Sequence, residues 1–200
     1  MCRLLFAILL FGQLDTIAQL KSDSLKNWDN YIINTTAYQK GIYKTFEEFK
    51  YNNPSIRDKF TFDKKNLWVT DKKTGKQRKI RKSEIWGFSD GTKIFVSWRK
   101  YNEILEKGRY CYFKEKGTRI AFGTTTFPFM ILPIPYPYND EIIINYNTGK
   151  TFFLSKRLIK KILTSDDPEL LTEFKKESQK NKKLAEYIIK YNDRNVSKIK

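Results

Sequence analysis

The sequence predicts an α+β protein, mainly antiparallel β, built as a sandwich or a partly open barrel. A short N-terminal helix and a C-terminal helical tail complete it. Three observations lead there. First, Ile85-Trp86-Gly87-Phe88-Ser89-Asp90-Gly91-Thr92-Lys93-Ile94-Phe95-Val96-Ser97-Trp98 sets Asp-Gly between two β-branched and aromatic runs, a strong hairpin signal. Second, short strand-like segments separated by Gly-bearing turns recur from Phe60 to Leu154, the spacing of antiparallel architecture. Third, apolar residues switch to helical spacing after Ser155.

The hairpin comes first because it sets what surrounds it. With Asp90-Gly91 as a type I′ tip, Phe88 faces Lys93 and Trp86 faces Phe95. Ile85, Ile94 and Val96 then share one side, and Trp86, Phe88 and Phe95 the other. Both sides are apolar, so an interior ribbon with covers on each side is expected.

From the N-terminus, Arg3, the apolar run Leu4 to Phe11 and Thr16-Ile17-Ala18 read as a cleaved export leader over residues 1–18. Eight apolar residues fall short of the about 20 that span a bilayer. Residues 19–154 are then a β-rich domain with an N-terminal arm, and residues 155–200 are helices packed on that same domain. The arm, 19–41, carries Trp28, Tyr31 and Tyr38 as docking rings. Thr45-Phe46-Glu47-Glu48 fits a capping box, and Pro54 stops the helix it opens. Strands are expected at Phe60–Phe62, Leu67–Thr70, Gln77–Ile80, Glu84–Ser89, Thr92–Trp98, Glu103–Glu106, Arg109–Lys114 and Arg119–Thr126. Lys116-Gly117-Thr118 reads as a turn between the last two.

Four of the six prolines fall in Phe127–Tyr138. Pro133, Pro135 and Pro137 remove every second amide, so this stretch can pair only through Ile134, Tyr136 and Tyr138. It belongs at a sheet edge or in a polyproline-like surface run. Glu141–Tyr146, a turn at Asn147-Thr148-Gly149, and Lys150–Leu154 form a closing hairpin. Leu158, Ile159, Ile162 and Leu163 make the first helical stripe, opposite Lys156, Arg157, Lys160 and Lys161. Asp167-Pro168 caps a second helix bearing Leu170, Leu171 and Phe174. Leu184, Ala185, Ile188 and Ile189 mark a third.

Composition narrows the chemistry. The net charge is +17, unchanged by loss of the leader because Arg3 and Asp15 cancel. Outside the cytoplasm a polyanionic partner of such a chain is anionic lipid, lipopolysaccharide or acidic glycan, with nucleic acid disfavoured. With 15 Phe, 12 Tyr and 4 Trp the chain can build a core. Only Cys111 survives leader removal, so no internal disulfide is available, and alternation sets it beside Phe113 as a small buried hydrophobe. There is no histidine, which removes Ser-His-Asp and Cys-His systems and His-bearing zinc sites. No catalytic residue, metal ligand or cofactor is expected. Gly149-Lys150-Thr151 lacks the leading glycine of a P-loop, because position 144 is Ile. Ser97-Trp98-Arg99-Lys100 and Lys73-Thr74-Gly75 match penicillin-binding motifs in the wrong order and context.

Two surfaces remain as candidates. Lys72, Lys73, Lys76, Arg78, Lys79, Arg81 and Lys82 crowd one hairpin, either as a polyanion contact or as a solvated edge guarded against aggregation. Phe127, Phe129, Ile134, Tyr136 and Tyr138 form either a partner-binding edge or a cover for the hairpin. The acid pairs Glu47-Glu48, Asp140-Glu141 and Asp166-Asp167 have simpler roles as caps and turns than as a hydrolytic pair.

Gly41-Ile42-Tyr43-Lys44-Thr45-Phe46-Glu47-Glu48-Phe49, Ile85 to Gly91, Gly108-Arg109-Tyr110 with Phe113, and the Asp166–Asn192 tail resemble a group of exported proteins of Gram-negative bacteria. That group carries no assigned activity, so the resemblance implies a bacterial envelope protein and no site. The expectation is a non-enzymatic, exported β-rich protein of the periplasm or envelope that binds an envelope component or protein partner. A polyanion or membrane-surface binder using residues 72–82 and the basic helices is the first alternative. A histidine-free hydrolase is the second.

Overall fold

A computed structural model describes residues 28–124 and 131–195. The leader at 1–18 and the candidates Phe127 and Phe129 lie outside the described residues. The fold is α+β, mainly antiparallel β with a few helices, and the chain divides into two compact units, Met1–Ile94 and Phe95–Lys200.

In the first unit Ile32 is fully buried and donates its amide to the Lys50 carbonyl, while Tyr31 meets Tyr51 edge-on at 5.0 Å. Strand β1 (Gly41–Tyr43) pairs antiparallel with β5 (Gly87–Ser89), Ile42 opposite Phe88. Helix α1 (Phe46–Lys50) starts where Thr45 Oγ1 accepts the Glu48 amide at 3.2 Å. Glu48 reaches back to the amide of Lys44, at 2.7 Å. The helix presents Phe49 to the Trp86 ring, 4.0 Å away. Strands β2 (Phe60–Phe62), β3 (Leu67–Thr70) and β4 (Gln77–Ile80) form a second antiparallel sheet. Phe60 and Phe62 lie against Phe88 at 5.7 and 4.6 Å.

The tip of the central hairpin differs from the sequence expectation. Asp90, not Phe88, stands across from Lys93, whose carbonyl accepts the Asp90 amide. The Asp90 carboxylate takes the amides of Thr92 and Lys93 at 2.8 and 2.7 Å, which closes the strand end and moves the tip to Gly91-Thr92. Only Gly91 adopts positive φ there, so the turn is not the type I′ that Asp-Gly suggests.

The second unit is an antiparallel meander of β6 (Ile94–Ser97), β7 (Tyr101–Glu106), β8 (Tyr110–Thr124), β9 (Ile131–Asn145) and β10 (Thr151–Phe153). The expected break at Lys116-Gly117-Thr118 is absent, and β8 runs straight through it. Gly117 lacks a side chain for a packing reason: a Cβ there would lie 2.6 Å from the Tyr138 ring on the facing strand. At the far end Asn145 accepts backbone amides from the turn, and Gly149 takes φ +68°.

Three helices cover one face. Ser155 caps α2 (Lys156–Asp166) through the Leu158 amide, and Asp167 caps α3 (Pro168–Lys176) through the Leu170 amide. Helix α4 (Leu184–Arg194) completes the layer. Ile159, Ile162, Leu163, Leu170, Phe174, Tyr187 and Ile188 pack on Tyr110, Tyr112 and Ile143 of the sheet. Each such buried side chain contributes about 1.5–3 kcal/mol. Ile189 is left partly exposed, because Tyr187 and Tyr191 take the inward positions on α4.

Candidate functional site

Strands β8 and β9 pair along all of their length, from Tyr110 opposite Asn145 to Thr124 opposite Ile131. The inner half is core. Cys111, Phe113, Ile142 and Ile144 are fully buried, as is Ile143 beneath the helices. Beyond Gly117 the same two strands continue as a ribbon with water on both sides. Paired residues share a face, so Ile120 with Pro135 and Phe122 with Pro133 lie on one side. Ala121 with Ile134 and Gly123 with Leu132 lie on the other. Ile120 is 61% exposed, Phe122 74%, Ile134 51%, and Leu132 and Tyr136 42% each. Apolar side chains on both faces of one two-stranded arm form a patch that water does not favour.

Hydrogen-bond parity decides how the edges of the arm behave. The Tyr146 amide bonds the Arg109 carbonyl, so odd residues of β8 exchange bonds with even residues of β9. Amides of odd β9 residues point the other way, as the Asn145 amide does toward Lys150. Pro133, Pro135 and Pro137 are all odd. Their missing donors therefore leave the β8–β9 ladder intact and strip the free edge of β9 instead.

A polar knot fixes the base of the arm. Tyr138 donates its hydroxyl to Glu115 Oε1 at 2.8 Å, which pushes the phenol above its ordinary pKa. Arg119 stacks over the Tyr138 ring at 4.3 Å and ion-pairs with Asp140, which also takes Arg99 at 3.1 Å. Glu115 is fully buried, and its Oε2 has no hydrogen-bond partner among the described residues.

Of the sequence candidates, Ile134 and Tyr136 stand exposed on the arm and Tyr138 is its half-buried foot. Ile120, Phe122 and Leu132 belong with them and were not singled out by sequence. The proline alternation was the available signal, because whatever pairs with a donor-poor edge strand shares its exposure.

The basic run lies along β4 and its flanks. Glu84 clasps Arg78 and Arg81 at 3.1 and 2.6 Å, and Lys72 sits 3.4 Å from Asp58. Lys73, Lys76 and Lys79 are exposed and form no ion pair among the described residues, and Lys82 is half-buried. A cleft of about 420 Å³ beside them mixes Lys44, Lys76 and Arg78 with Asp58 and Asp71, so it holds both signs of charge. The apolar stripe of α2 is buried in its own core, which leaves Lys156, Arg157, Lys160 and Lys161 in water and no free apolar face for a membrane.

Each acid pair has structural partners. Asp140 holds two guanidiniums, while Glu141 accepts the Tyr112 hydroxyl and pairs with Lys114. Asp166 binds Arg109 and the Tyr191 hydroxyl, and Asp167 caps α3 and binds Arg194. Among the described residues no group of three or more acids and cysteines could hold a metal ion. No helix among them is long and apolar enough to cross a membrane.

Residues 41–131 match the model of a family of unknown function, DUF6563. The matched segment runs from β1 through the whole of β8, so the similarity reaches one strand of the arm. No curated protein and no solved structure matches the chain.

Proposed function

We propose that the chain is an exported, non-enzymatic binding protein of the bacterial cell envelope that holds a protein partner on the β8–β9 arm. The supporting observation is the two-faced exposure of Ile120, Phe122, Leu132, Ile134 and Tyr136, which gathers five of the exposed large apolar residues on one two-stranded arm, while Leu105, Phe152 and Phe153 are exposed elsewhere. An apolar ribbon held rigidly at its foot by Tyr138, Arg119 and Asp140 presents its side chains without first having to order them. Two measurements test this reading. Mass spectrometry of the protein from its source cell should find a mature N-terminus at Gln19, and an intact Met1 would end the export reading. A photo-crosslinking residue at Phe122 or Ile134 should trap protein in the envelope, whereas one at Lys73 should not. Adducts only from position 73 would overturn the choice of surface.

The exposed trio Lys73, Lys76 and Lys79 favours one second reading, contact with anionic lipid or lipopolysaccharide. In that case binding falls steeply with salt and is lost on charge reversal at those three lysines. Arg81 is a poorer probe, because Glu84 already neutralises it.

A further inference from the structure

The two long edges of the arm are not equivalent. Even residues of β8 direct their peptide groups away from β9. Near the core those groups are occupied. Asn192 of α4 donates its side-chain amide to the Tyr110 carbonyl at 2.9 Å and accepts the Tyr110 amide at 3.1 Å. Strand β7 then covers Tyr112 and Phe113, and Lys100 Nζ caps the Lys116 carbonyl at 2.6 Å. Past that point come Thr118, Ile120 and Phe122, with no strand beside them among the described residues. Their outward amides and carbonyls form an open edge. The opposite edge, along β9, has proline at 133, 135 and 137 and offers no donor there.

We propose that the β8 edge at Thr118–Phe122 is a strand-addition site, and that its occupant is a second copy of this chain. The two edges pair antiparallel about a two-fold axis through Ile120. The inference deepens the binding role proposed above and rests on it. In this register Ile120 faces its own counterpart and Thr118 faces Phe122, so all three outward peptide groups of each copy find partners. The proline edge makes the pairing terminal: a third copy meets β9 and finds no donors, so the assembly closes at two.

Charge permits it despite +17 per chain. The edge carries one ionisable group, Arg119, already bound to Asp140, and it falls opposite Ala121 of the other copy. Lys116 falls opposite Thr124, so no cation faces a cation. A charge-selected foreign strand finds nothing on this edge to recognise. A bilayer would surround both apolar faces but leave the three amides unpaired in hydrocarbon, which lipid does not tolerate. In the paired sheet Ile120 and Phe122 of each copy lie beside Ile120 and Thr118 of the other on one face, while the large apolar residues of the opposite face stay on β9, one strand from the seam. An edge five residues long buries less than the about 800 Å² per partner of a standard interface, so the dimer is weak and concentration-dependent.

The test is sedimentation of the protein purified from its source cell, from about 1 µM to about 1 mM, the range over which weak interfaces assemble. The expected result is a mass that rises from one chain to two and stops. Ile120→Pro removes an outward amide while sparing the β8–β9 ladder, and should weaken the dimer at least tenfold. Ile120→Lys places like charges at the axis and should do the same. Circular dichroism and protection of Cys111 from alkylation report that both variants stay folded. A monomer throughout the range, a dimer indifferent to both variants, or growth past two chains would overturn the inference. If the protein is monomeric while Phe122 or Ile134 still crosslinks a different envelope protein, the arm keeps its binding role and only the second copy falls. If it neither dimerises nor crosslinks, both readings fall.

Discussion

Asn192 does for Tyr110 what a neighbouring strand would do, exchanging two hydrogen bonds with its peptide group from the side of a helix. It is 97% buried, and its amide lies so near Gly108 that a Cβ there would fall 2.4 Å from Asn192 Cγ. Asn192→Ala would strand a buried donor and acceptor, so we expect a loss of about 2–4 kcal/mol in urea unfolding. Asn192→Asp keeps the acceptor, loses the donor and should fall between. Cys111 makes a second residue-scale prediction. Burial pushes its thiol up to about 12, so at pH 8 almost none is thiolate and iodoacetamide reaches it only through unfolding. Its labelling rate should rise with denaturant in step with global unfolding, and rapid labelling of the native protein would contradict the burial. These two residues also differ in legibility. Strand alternation alone sets Cys111 beside Phe113, whereas nothing in the Lys190–Arg194 sequence distinguishes Asn192 from an ordinary polar helix residue, because its partner lies 82 positions away.

Elements show the same division between local and distant causes. The caps Ser155 and Asp167 are readable because an N-cap bonds an amide three residues on, within reach of any window along the chain. The hairpin tip misled for a related reason: Asp90-Gly91 suits a type I′ turn, but the Asp90 carboxylate bonds Thr92 and Lys93 and draws the tip one residue along. Gly117 misled because a glycine can mark a turn or make room for a ring, and only the facing Tyr138 tells which. In the link between α3 and α4, Lys183 Nζ and the Gln179 amide hold Glu177, whose carboxyl is lowered to about 2. A depressed carboxylate stabilises the fold above its unfolded pKa and loses that contribution as pH falls toward 2. Lys183→Met should raise the Glu177 titration midpoint, followed by NMR, and should flatten the fall in stability between about pH 4.5 and 2. Phe174, fully buried among the helices, should cost about 3–5 kcal/mol when cut to Ala.

For the whole molecule the informative contrast is between apolar residues that find cover and those that do not. The paired substitution Phe122→Ser with Ile134→Ser removes side chains that are half or more exposed, so thermal unfolding should move by no more than about 1 kcal/mol from wild type. Capture of a partner by the arm should nonetheless disappear. A large loss of stability would mean that these side chains serve the fold, and the proposed binding role would go with it. The +17 charge is spread over a surface in which Glu84, Asp58 and Asp140 already neutralise several cations. A polyanion contact at the basic hairpin therefore depends on Lys73, Lys76 and Lys79, and reversing them should lower lipid binding there at low salt far more than at high salt.

By itself the sequence determined what local chemistry permits: a β-rich chain turning helical after Ser155, a chain without histidine, and a strand whose prolines deny donors to one edge. Those features travel with the residue, since a proline lacks its amide wherever it is placed. Only the tertiary structure decided that the helices cover Tyr110, Tyr112 and Ile143 and stop short of Ile120, Phe122 and Ile134. Cover is supplied by segments far along the chain, and whether they reach a given strand depends on where the chain's packing places them.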